Sequence, residues 1–346
     1  MPPVRQQAAQ KQHYVPKFIL RNFLSNQAKE QVSVFTKSTG KGFTVPIASI
    51  MAERRFHDFR IDEDYMASFE GGITHIENLL LPTYRAVVER GALDNTPEEK
   101  ANLIALMAFQ FVRTRAQRDL FLSMEDQLKT KLEAWGAKLE DVEDYEPMTE
   151  ETNKLHHLKF IEESTGVFIE SLIDKDLLLL KAPEGRSFYL SDNPVAMYNS
   201  EPKKSFIGNL GFSVPGIQIY LPLSAELMLC VWCPSIMGKI KETHRQQQND
   251  LAGAMLSPRM MHLSEPEKMK AYIDKLRPLT KIVQDRIRHA DNGTPSPLTA
   301  ENMDFQNSLQ VANASEHVIC KQGDFALANQ FMKENPHHKG FQMTVG

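Results

Sequence analysis

The spacing of apolar residues divides the chain into a short β-rich segment, a long helical segment, and a final segment of strands followed by helices. Alternating β-branched and aromatic residues flank a Ser-Thr-Gly-Lys-Gly sequence and predict a β-hairpin over residues 31–47. Helical spacing follows over residues 64–90, where Gly71, Gly72 and Pro82 predict a bend or a break.

A second long helix is predicted to begin at Pro97, with Asn95 or Thr96 as its N-cap and acidic residues in its first turn. Apolar residues occupy nearly every side of this helix as far as Phe111, which is typical of a central, buried helix. After an acidic stretch, another helix is predicted from about residue 154 to residue 174.

The pattern changes near residue 178, where continuous apolar runs predict strands. One pair of strands is predicted around residues 183–185 and a second pair around residues 222–224. Helical spacing then returns in three segments, which are residues 243–256, 265–276 and 302–320.

This order of elements predicts a helix-rich α+β fold in which an antiparallel sheet is covered by helices. We expect a single domain over residues 13–325, with a helical half at about residues 60–175 and a sheet-bearing half at about residues 178–325. Residues 1–12 are expected to form a flexible arm and residues 326–346 a peripheral tail.

Composition narrows the class of protein. The 346 residues carry a net charge of −4, which removes the simplest argument for nucleic-acid binding, a strongly basic chain. The first residues contain no apolar core typical of a secretory signal, and no stretch approaches the roughly 20 apolar residues that cross a bilayer. Three cysteines are too few for a disulfide scaffold. We therefore expect a soluble, cytoplasmic protein that does not act on membranes.

Several short motifs follow one another in a distinctive order. They are His-Tyr-Val-Pro at residues 13–16, Gln-x-x-Arg-Thr at 110–114, Ser-Asp-Asn-Pro at 191–194 and Pro-Leu-Ser at 222–224. Together they resemble the bacterial family catalogued as domain of unknown function 4238, over about residues 12–325. The resemblance implies a bacterial origin, and the family name leaves the activity open. The chain departs from the family pattern at Arg115, where proline is expected, so the helix is predicted to continue through this position.

The Ser-Asp-Asn-Pro motif is the first candidate for chemistry. Asp192 and Asn193 follow an apolar strand, a position from which carboxylate and amide oxygens can hold a metal ion or a substrate. The alternative is an Asx-turn, in which the two side chains bind their own backbone and the proline fixes the turn.

The Gln-x-x-Arg motif is the second candidate. Gln110 and Arg113 share one face of an otherwise apolar helix, and a buried arginine needs an anionic partner. Glu70 and Glu77 on the preceding helix are the expected partners, because seven residues return to nearly the same face. Two interpretations remain open: an Arg–Glu brace between helices, or an arginine that binds a ligand carboxylate or phosphate in its fork.

The His-Tyr-Val-Pro motif is the third candidate. Tyr14 and Pro16 stiffen the backbone around His13, which can then serve as a general base, as a metal ligand, or as a capping residue.

The remaining cysteine and histidine motifs have structural interpretations. Cys230 and Cys233 are predicted to be core and edge residues without a zinc or redox role. The pairs His156-His157 and His337-His338 are predicted to be solvated.

Three functions are compatible with these residues. In the first, His13 is the base and Gln110 and Arg113 act on the substrate of a metal-assisted phosphodiesterase or nuclease. Asp192 and Glu77 then bind Mg²⁺ or Mn²⁺, and Tyr14, Glu70 and Asn193 complete the site. Its partner would be a nucleic acid or a nucleotide. In the second, a non-catalytic module binds a small anionic ligand in the same pocket. In the third, the polar residues are structural braces and function lies in contacts with a protein partner.

Overall fold

The computed structural model describes residues 11–60, 66–201, 208–255 and 266–340. Its architecture is α+β, as the sequence predicts. The helices of the described residues are α1 (Lys17–Leu20), α2 (Glu70–Arg90), α3 (Pro97–Val112), α4 (Arg115–Ala134), α5 (Glu150–Leu172), α6 (Pro234–Met255), α7 (Pro266–Asp291), α8 (Ala300–Asn313) and α9 (Ala326–Glu334). Within the described residues, no helix is long and apolar enough to cross a membrane.

The strands form two main sheets and two short ribbons. They are β1 (Lys11–His13), β2 (Gln31–Thr36), β3 (Lys41–Pro46), β4 (Ala52–Arg54), β5 (Asp58–Arg60), β6 (Met66–Ser68), β7 (Asp176–Lys181), β8 (Leu190–Ser191), β9 (Ala196–Asn199), β10 (Ile217–Pro222), β11 (Leu227–Trp232), β12 (Ser296–Pro297) and β13 (His317–Ile319). One sheet has the order β12-β7-β11-β10-β9 and the other the order β3-β2-β13-β8. All pairs are antiparallel except β12 with β7, and β1-β4 and β5-β6 are the ribbons.

The predicted hairpin is present as β2 and β3, with Gln31 opposite Pro46 and Thr36 opposite Lys41. Its inner strand then pairs with β13, a strand from the far end of the chain. The sequence predicts helix over all of residues 302–320, and this is wrong for β13, because α8 ends at Asn313. A three-residue strand is too short to show its own periodicity, so the partner strand determines it.

Helix α2 is continuous from Glu70 to Arg90, so a break at Gly71, Gly72 or Pro82, one of the two predicted alternatives, is wrong. Four residues at helical spacing are buried on one face, and they hold the turns on either side of the proline. Packing of an apolar face supplies most of the stability of a helix in a protein, which compensates for the hydrogen bond that proline removes. The predicted end is confirmed: Gly91 adopts a left-handed conformation.

Helix α3 begins as predicted, since the Thr96 side chain accepts a hydrogen bond from the Glu99 N–H at 3.2 Å. It ends at Val112, and an extended Thr114 (ψ 157°) separates it from α4. The prediction that the helix continues into Arg115 is therefore wrong. The side chain of Thr114 contacts a distant turn, described below, and this tertiary contact fixes a break that local propensity does not require.

The two ends of the chain that were predicted as an arm and a tail lie partly outside the described residues. Of the predicted arm, Lys11 and Gln12 are described, and they pair with β4 opposite Arg54 and Glu53. Of the predicted tail, residues 326–334 form α9, whose Ala328 packs in an apolar cluster with the four-stranded sheet.

Candidate functional site

The His-Tyr-Val-Pro segment is held by the Gln-x-x-Arg motif through main-chain carbonyl groups. Arg113 donates from Nη2 to the His13 carbonyl at 2.7 Å and from Nη1 to Glu77 Oε1 at 2.6 Å. Gln110 donates from Nε2 to the Tyr14 carbonyl at 3.0 Å. Arg113 therefore braces α2 against the start of the chain, as one of the two interpretations of this motif predicts.

The side chain of His13 is hydrogen-bonded within the protein, and that of Tyr14 is buried. The His13 ring donates from Nε2 to the Ile47 carbonyl at 2.9 Å. Burial lowers the pKa of the His13 imidazole, the bond to Ile47 opposes this, and the charges of Lys17 and Arg113 lower the pKa further. Burial also raises the pKa of the Tyr14 phenol well above its ordinary value. Both side chains are therefore neutral at neutral pH.

Asp192 lies at the end of β8 and binds the loop before β13. Its carboxylate accepts hydrogen bonds from the N–H groups of Ser315, Glu316 and His317 at 2.8, 2.8 and 2.9 Å. Burial raises the pKa of Asp192, and the three N–H donors oppose that rise. The buried side chain of Lys37 lies near Asp192. Burial lowers the pKa of Lys37 to about 8, and the negative charge of Asp192 opposes this decrease. The carboxylate thus connects the loop to the strand.

Asn193 connects the same turn to α4 and α8. Its Oδ1 accepts a hydrogen bond from Thr114 Oγ1 at 3.1 Å, and its Nδ2 donates to the Asn313 carbonyl at 3.4 Å. Asn313 in turn donates from Nδ2 to the Val195 carbonyl at 3.0 Å. The break between α3 and α4 and the Ser-Asp-Asn-Pro turn therefore stabilise each other.

The structure brings five of the predicted site residues into direct contact: His13, Tyr14, Glu77, Gln110 and Arg113. Asn193 lies beside this group, because it accepts a hydrogen bond from Thr114, the residue after Arg113. Glu70 accepts a hydrogen bond from His57 Nδ1–H at 2.6 Å, and the His57 backbone N–H donates to Gln12, the residue before His13. The Asp192 carboxylate instead binds the loop before β13.

The Mg²⁺ or Mn²⁺ site stays a prediction. It requires Asp192 and Glu77 to share an ion, and each carboxylate accepts hydrogen bonds from protein groups instead. Among the residues that the structure describes, no three His, Cys, Asp or Glu side chains form a group that could hold a metal ion.

A second polar group surrounds the ring of Phe56, next to the predicted site. We call it the Phe56 cluster: the side chains of His57, Arg118 and His157 lie around the ring, and the buried residues Gln117 and Asn153, on the same two helices as Arg118 and His157, are counted with them. The Arg118 guanidinium lies over the Phe56 ring, 4.3 Å from its centroid. The His57 and His157 ring centroids lie 4.9 and 5.7 Å from it. Gln117 precedes Arg118 on α4, and Asn153 lies one turn before His157 on α5.

Each member of the Phe56 cluster is buried and has one polar atom without a hydrogen-bond partner in the described part of the chain. These atoms are His57 Nε2, Gln117 Nε2, Arg118 Nη1, Asn153 Oδ1 and His157 Nδ1. A buried polar atom without a partner costs roughly 1–3 kcal/mol. Five such atoms, three of them on side chains that lie around one ring, are unusual for residues that serve only as structural braces.

The remaining contacts of the cluster fix the state of its histidines. His157 donates from Nε2 to the Val112 carbonyl at 2.8 Å, and His57 donates from Nδ1 to Glu70. Burial lowers the pKa of the His157 imidazole to about 3, and the charges of Arg118 and His57 add to this effect. Burial lowers the pKa of His57 as well. Both rings are neutral at neutral pH, and their second nitrogens are hydrogen-bond acceptors.

A family model described as "Protein of unknown function (DUF4238)" matches residues 11–324. The chain belongs to this family. No match to the chain was found among curated proteins or among solved structures. The match includes the predicted site and the Phe56 cluster of this DUF4238 protein, and it ends before α9.

Sequence reasoning missed the Phe56 cluster, and for one of its histidines the prediction was wrong. His157 was predicted to be solvated and is fully buried, whereas its neighbour His156 is exposed. The spacing of Asn153, His157 and Ile161 places all three on the buried face of α5 in this DUF4238 protein, and that signal was available. His337 is exposed, and His338 is partly exposed and donates from Nε2 to the Ala312 carbonyl at 2.7 Å.

The cysteine positions agree with the structural interpretation. Cys230 is buried in β11, and Cys233 is partly exposed just after that strand. All three cysteines of the chain are free. Cys230 is therefore a core residue, as predicted, whereas Cys233 lies at the end of the central strand and not at an edge of the five-stranded sheet.

Replacing Gln117 by methionine is expected to stabilise the DUF4238 protein by about 1 kcal/mol. Methionine has nearly the same shape and removes an amide nitrogen that is buried without a partner among the described residues. Urea unfolding of the two proteins measures the difference. Gln127→Met, on the same helix, is the control: this amide is partly exposed and donates to Ser123 Oγ at 3.2 Å, so its replacement should not stabilise the protein. A loss of stability in Gln117→Met would mean that the amide makes a structural hydrogen bond.

Proposed function

We propose that this protein binds a small anionic ligand at the Phe56 cluster and does not convert it. The observation that carries this proposal is the burial of the Arg118 guanidinium in the cluster, whose Nη1 has no partner among the described residues. Arg113 lies outside the cluster but near enough for its charge to lower the pKa of His57, and its Nε is also without a partner among the described residues. A guanidinium is seldom buried without groups that satisfy its charge and its N–H donors.

The distribution of charge around these groups favours an anion. Arg113 and Arg118 expose 1% and 8% of their side chains, whereas their partners Glu77 and Glu53 expose 25% and 34%. Arg118 uses Nη2 for both oxygens of Glu53, at 3.0 and 2.8 Å. The positive charges therefore lie deeper than the negative ones. An anion inside the cluster would gain charge-assisted hydrogen bonds that a surface carboxylate does not make.

The other polar atoms restrict the chemistry of the ligand. The neutral rings of His57 and His157 and the Asn153 Oδ1 are acceptors, whereas Gln117 Nε2 and Arg118 Nη1 are donors. A ligand that satisfies both sets carries negative charge and a hydroxyl group. Monohydrogen phosphate and simple hydroxy acids have this combination.

Metal-assisted hydrolysis of phosphodiesters is less well supported by the geometry. It needs Asp192 and Glu77 as shared ligands, and the Asp192 carboxylate already accepts three backbone hydrogen bonds. It also needs His13 as a base, and the Nε2 of His13 donates to a carbonyl group. We retain hydrolysis, with a nucleotide or nucleic acid as substrate, as the outcome that would replace the binding proposal.

Calorimetric titration with inorganic phosphate tests the proposal. We expect the wild type to bind phosphate and Arg118→Lys to bind it at least tenfold more weakly, because lysine lacks the guanidinium fork. Arg115→Lys is the matched control, since Arg115 lies on the same helix, is exposed and pairs with Asp119. At one hundred times its dissociation constant, phosphate should stabilise the wild type by roughly 2.7 kcal/mol.

Two results would overturn this function. One is phosphate affinity that is equal in the wild type and in Arg118→Lys, with both proteins folded by circular dichroism. The other is cleavage of a nucleotide or oligonucleotide that requires Mg²⁺ or Mn²⁺, which would establish hydrolysis instead.

A further inference from the structure

A cavity of about 400 Å³ lies next to the Ser-Asp-Asn-Pro turn, since Val195, the residue that follows the motif, lines it. Its apolar wall is formed by side chains of α3, β9 and α8 and by the residues that flank them, among them Phe111, Val195, Met197 and Leu309. The remaining wall is the backbone and side chains of residues 337–340. A volume of this size is typical of sites for small organic molecules.

Specific contacts hold residues 337–340 over the cavity. His338 donates to the Ala312 carbonyl at 2.7 Å, and its ring lies 5.5 Å from that of Phe331. Gly340 is buried with φ +87°, and a Cβ atom at this position would lie 2.6 Å from the Ala314 carbonyl oxygen. Only glycine fits this conformation and this close approach. Residues 337–340 therefore form a fixed wall of the cavity, and they lie outside residues 11–324, which match the family.

The charges at the cavity identify the kind of ligand. Lys339 lines the cavity, and no acidic side chain is among the described residues that do so. An apolar molecule that carries one negative charge would bury its body against Phe111, Val195 and Leu309 and place its charge near Lys339.

We propose that this cavity binds an organic anion with an apolar body, of the kind represented by a medium-chain carboxylate. The site shares none of the residues of the Phe56 cluster, so it goes beyond the anion-binding function proposed above. Residues 337–340 complete the binding surface, and Lys339 recognises the carboxylate.

Calorimetric titration of the full chain with octanoate tests this site. We expect octanoate to bind the wild type with one-to-one stoichiometry and 1-octanol, which has the same apolar chain and no charge, to bind at least fivefold more weakly. Lys339→Gln should lose most of this preference for the anion. Lys333→Gln is the control, because Lys333 is an exposed lysine on α9 that does not line the cavity. Leu210→Glu, at an exposed residue of the cavity wall, should weaken octanoate binding at least tenfold through charge repulsion.

The outcomes separate this site from the Phe56 cluster. Phosphate affinity should be unchanged in Lys339→Gln and in Leu210→Glu, and octanoate affinity should be unchanged in Arg118→Lys. The proposal is overturned if octanoate does not bind, if 1-octanol binds equally well, or if Lys339→Gln and Lys333→Gln have the same effect. Competition between phosphate and octanoate for one site would also overturn it.

Discussion

Replacing Asp192 by asparagine is expected to lower the free energy of unfolding by about 3 kcal/mol. The buried carboxylate accepts hydrogen bonds from three consecutive backbone N–H groups, those of Ser315, Glu316 and His317. Asparagine has the same shape, but it replaces one oxygen with an NH₂ group and removes the negative charge. At least one backbone N–H would then face another donor, and the loop before β13 would lose its partner.

Urea unfolding measures this change, and Asp304→Asn is the matched control. Asp304 lies on α8 and forms a half-exposed ion pair with Arg186, so its replacement should cost less than about 1 kcal/mol. The opposite result is informative. If Asp192→Asn were nearly as stable as the wild type and no longer responded to Mg²⁺ or Mn²⁺, Asp192 would be a metal ligand. The phosphodiesterase prediction would then be the better account of this protein.

Acidification is expected to destabilise the protein through its buried histidines. The pKa of His157 is about 3 in the folded protein, below its ordinary value of 6.5. Between these two values the unfolded chain binds a proton that the folded protein does not bind. Stability is therefore complete above pH 6.5 and falls as the pH decreases, by about 1.4 kcal/mol per pH unit for this one group. His57, whose pKa is also lowered, contributes in the same direction.

Unfolding free energies at pH values between about 7 and 5, above the range in which carboxylates titrate, test this expectation. His157→Gln retains a donor for the Val112 carbonyl and cannot be protonated, so it should lose stability less steeply than the wild type. His156→Gln changes the exposed neighbour and should follow the wild type. Equal slopes in all three proteins would mean that His157 is accessible to protons in the folded state.

The elements that the sequence predicts correctly have strong local signals. The β2-β3 hairpin has a glycine-containing turn between alternating residues. Helix α3 has Thr96, Pro97 and two acidic residues at its start, and α2 ends at Gly91. Strands β10 and β11 flank the predicted turn at Pro222. In each case residues close in sequence make the hydrogen bonds that define the element.

The errors occur where distant residues determine the structure. The helix break at Thr114 depends on Asn193, which lies 79 residues away. Strand β13 depends on its partners β2 and β8, and the continuity of α2 through Pro82 depends on buried residues along its length. No local pattern at these positions contains the partner, so propensity alone gives the wrong element.

In the candidate site, too, local sequence signals are sufficient for some features, and distant residues determine the others. Composition, periodicity and short motifs are enough to predict the α+β class, the family and the pairing of Arg113 with Glu77 as one of the open interpretations. Which atoms are used depends on how the chain folds, since Arg113 binds the His13 carbonyl from 100 residues away and Asp192 binds the His317 N–H from 125 residues away. The tertiary structure also decides that His157 faces the ring of Phe56 while His156 faces solvent, because a helix turns by about 100° per residue and packing selects the face that is buried.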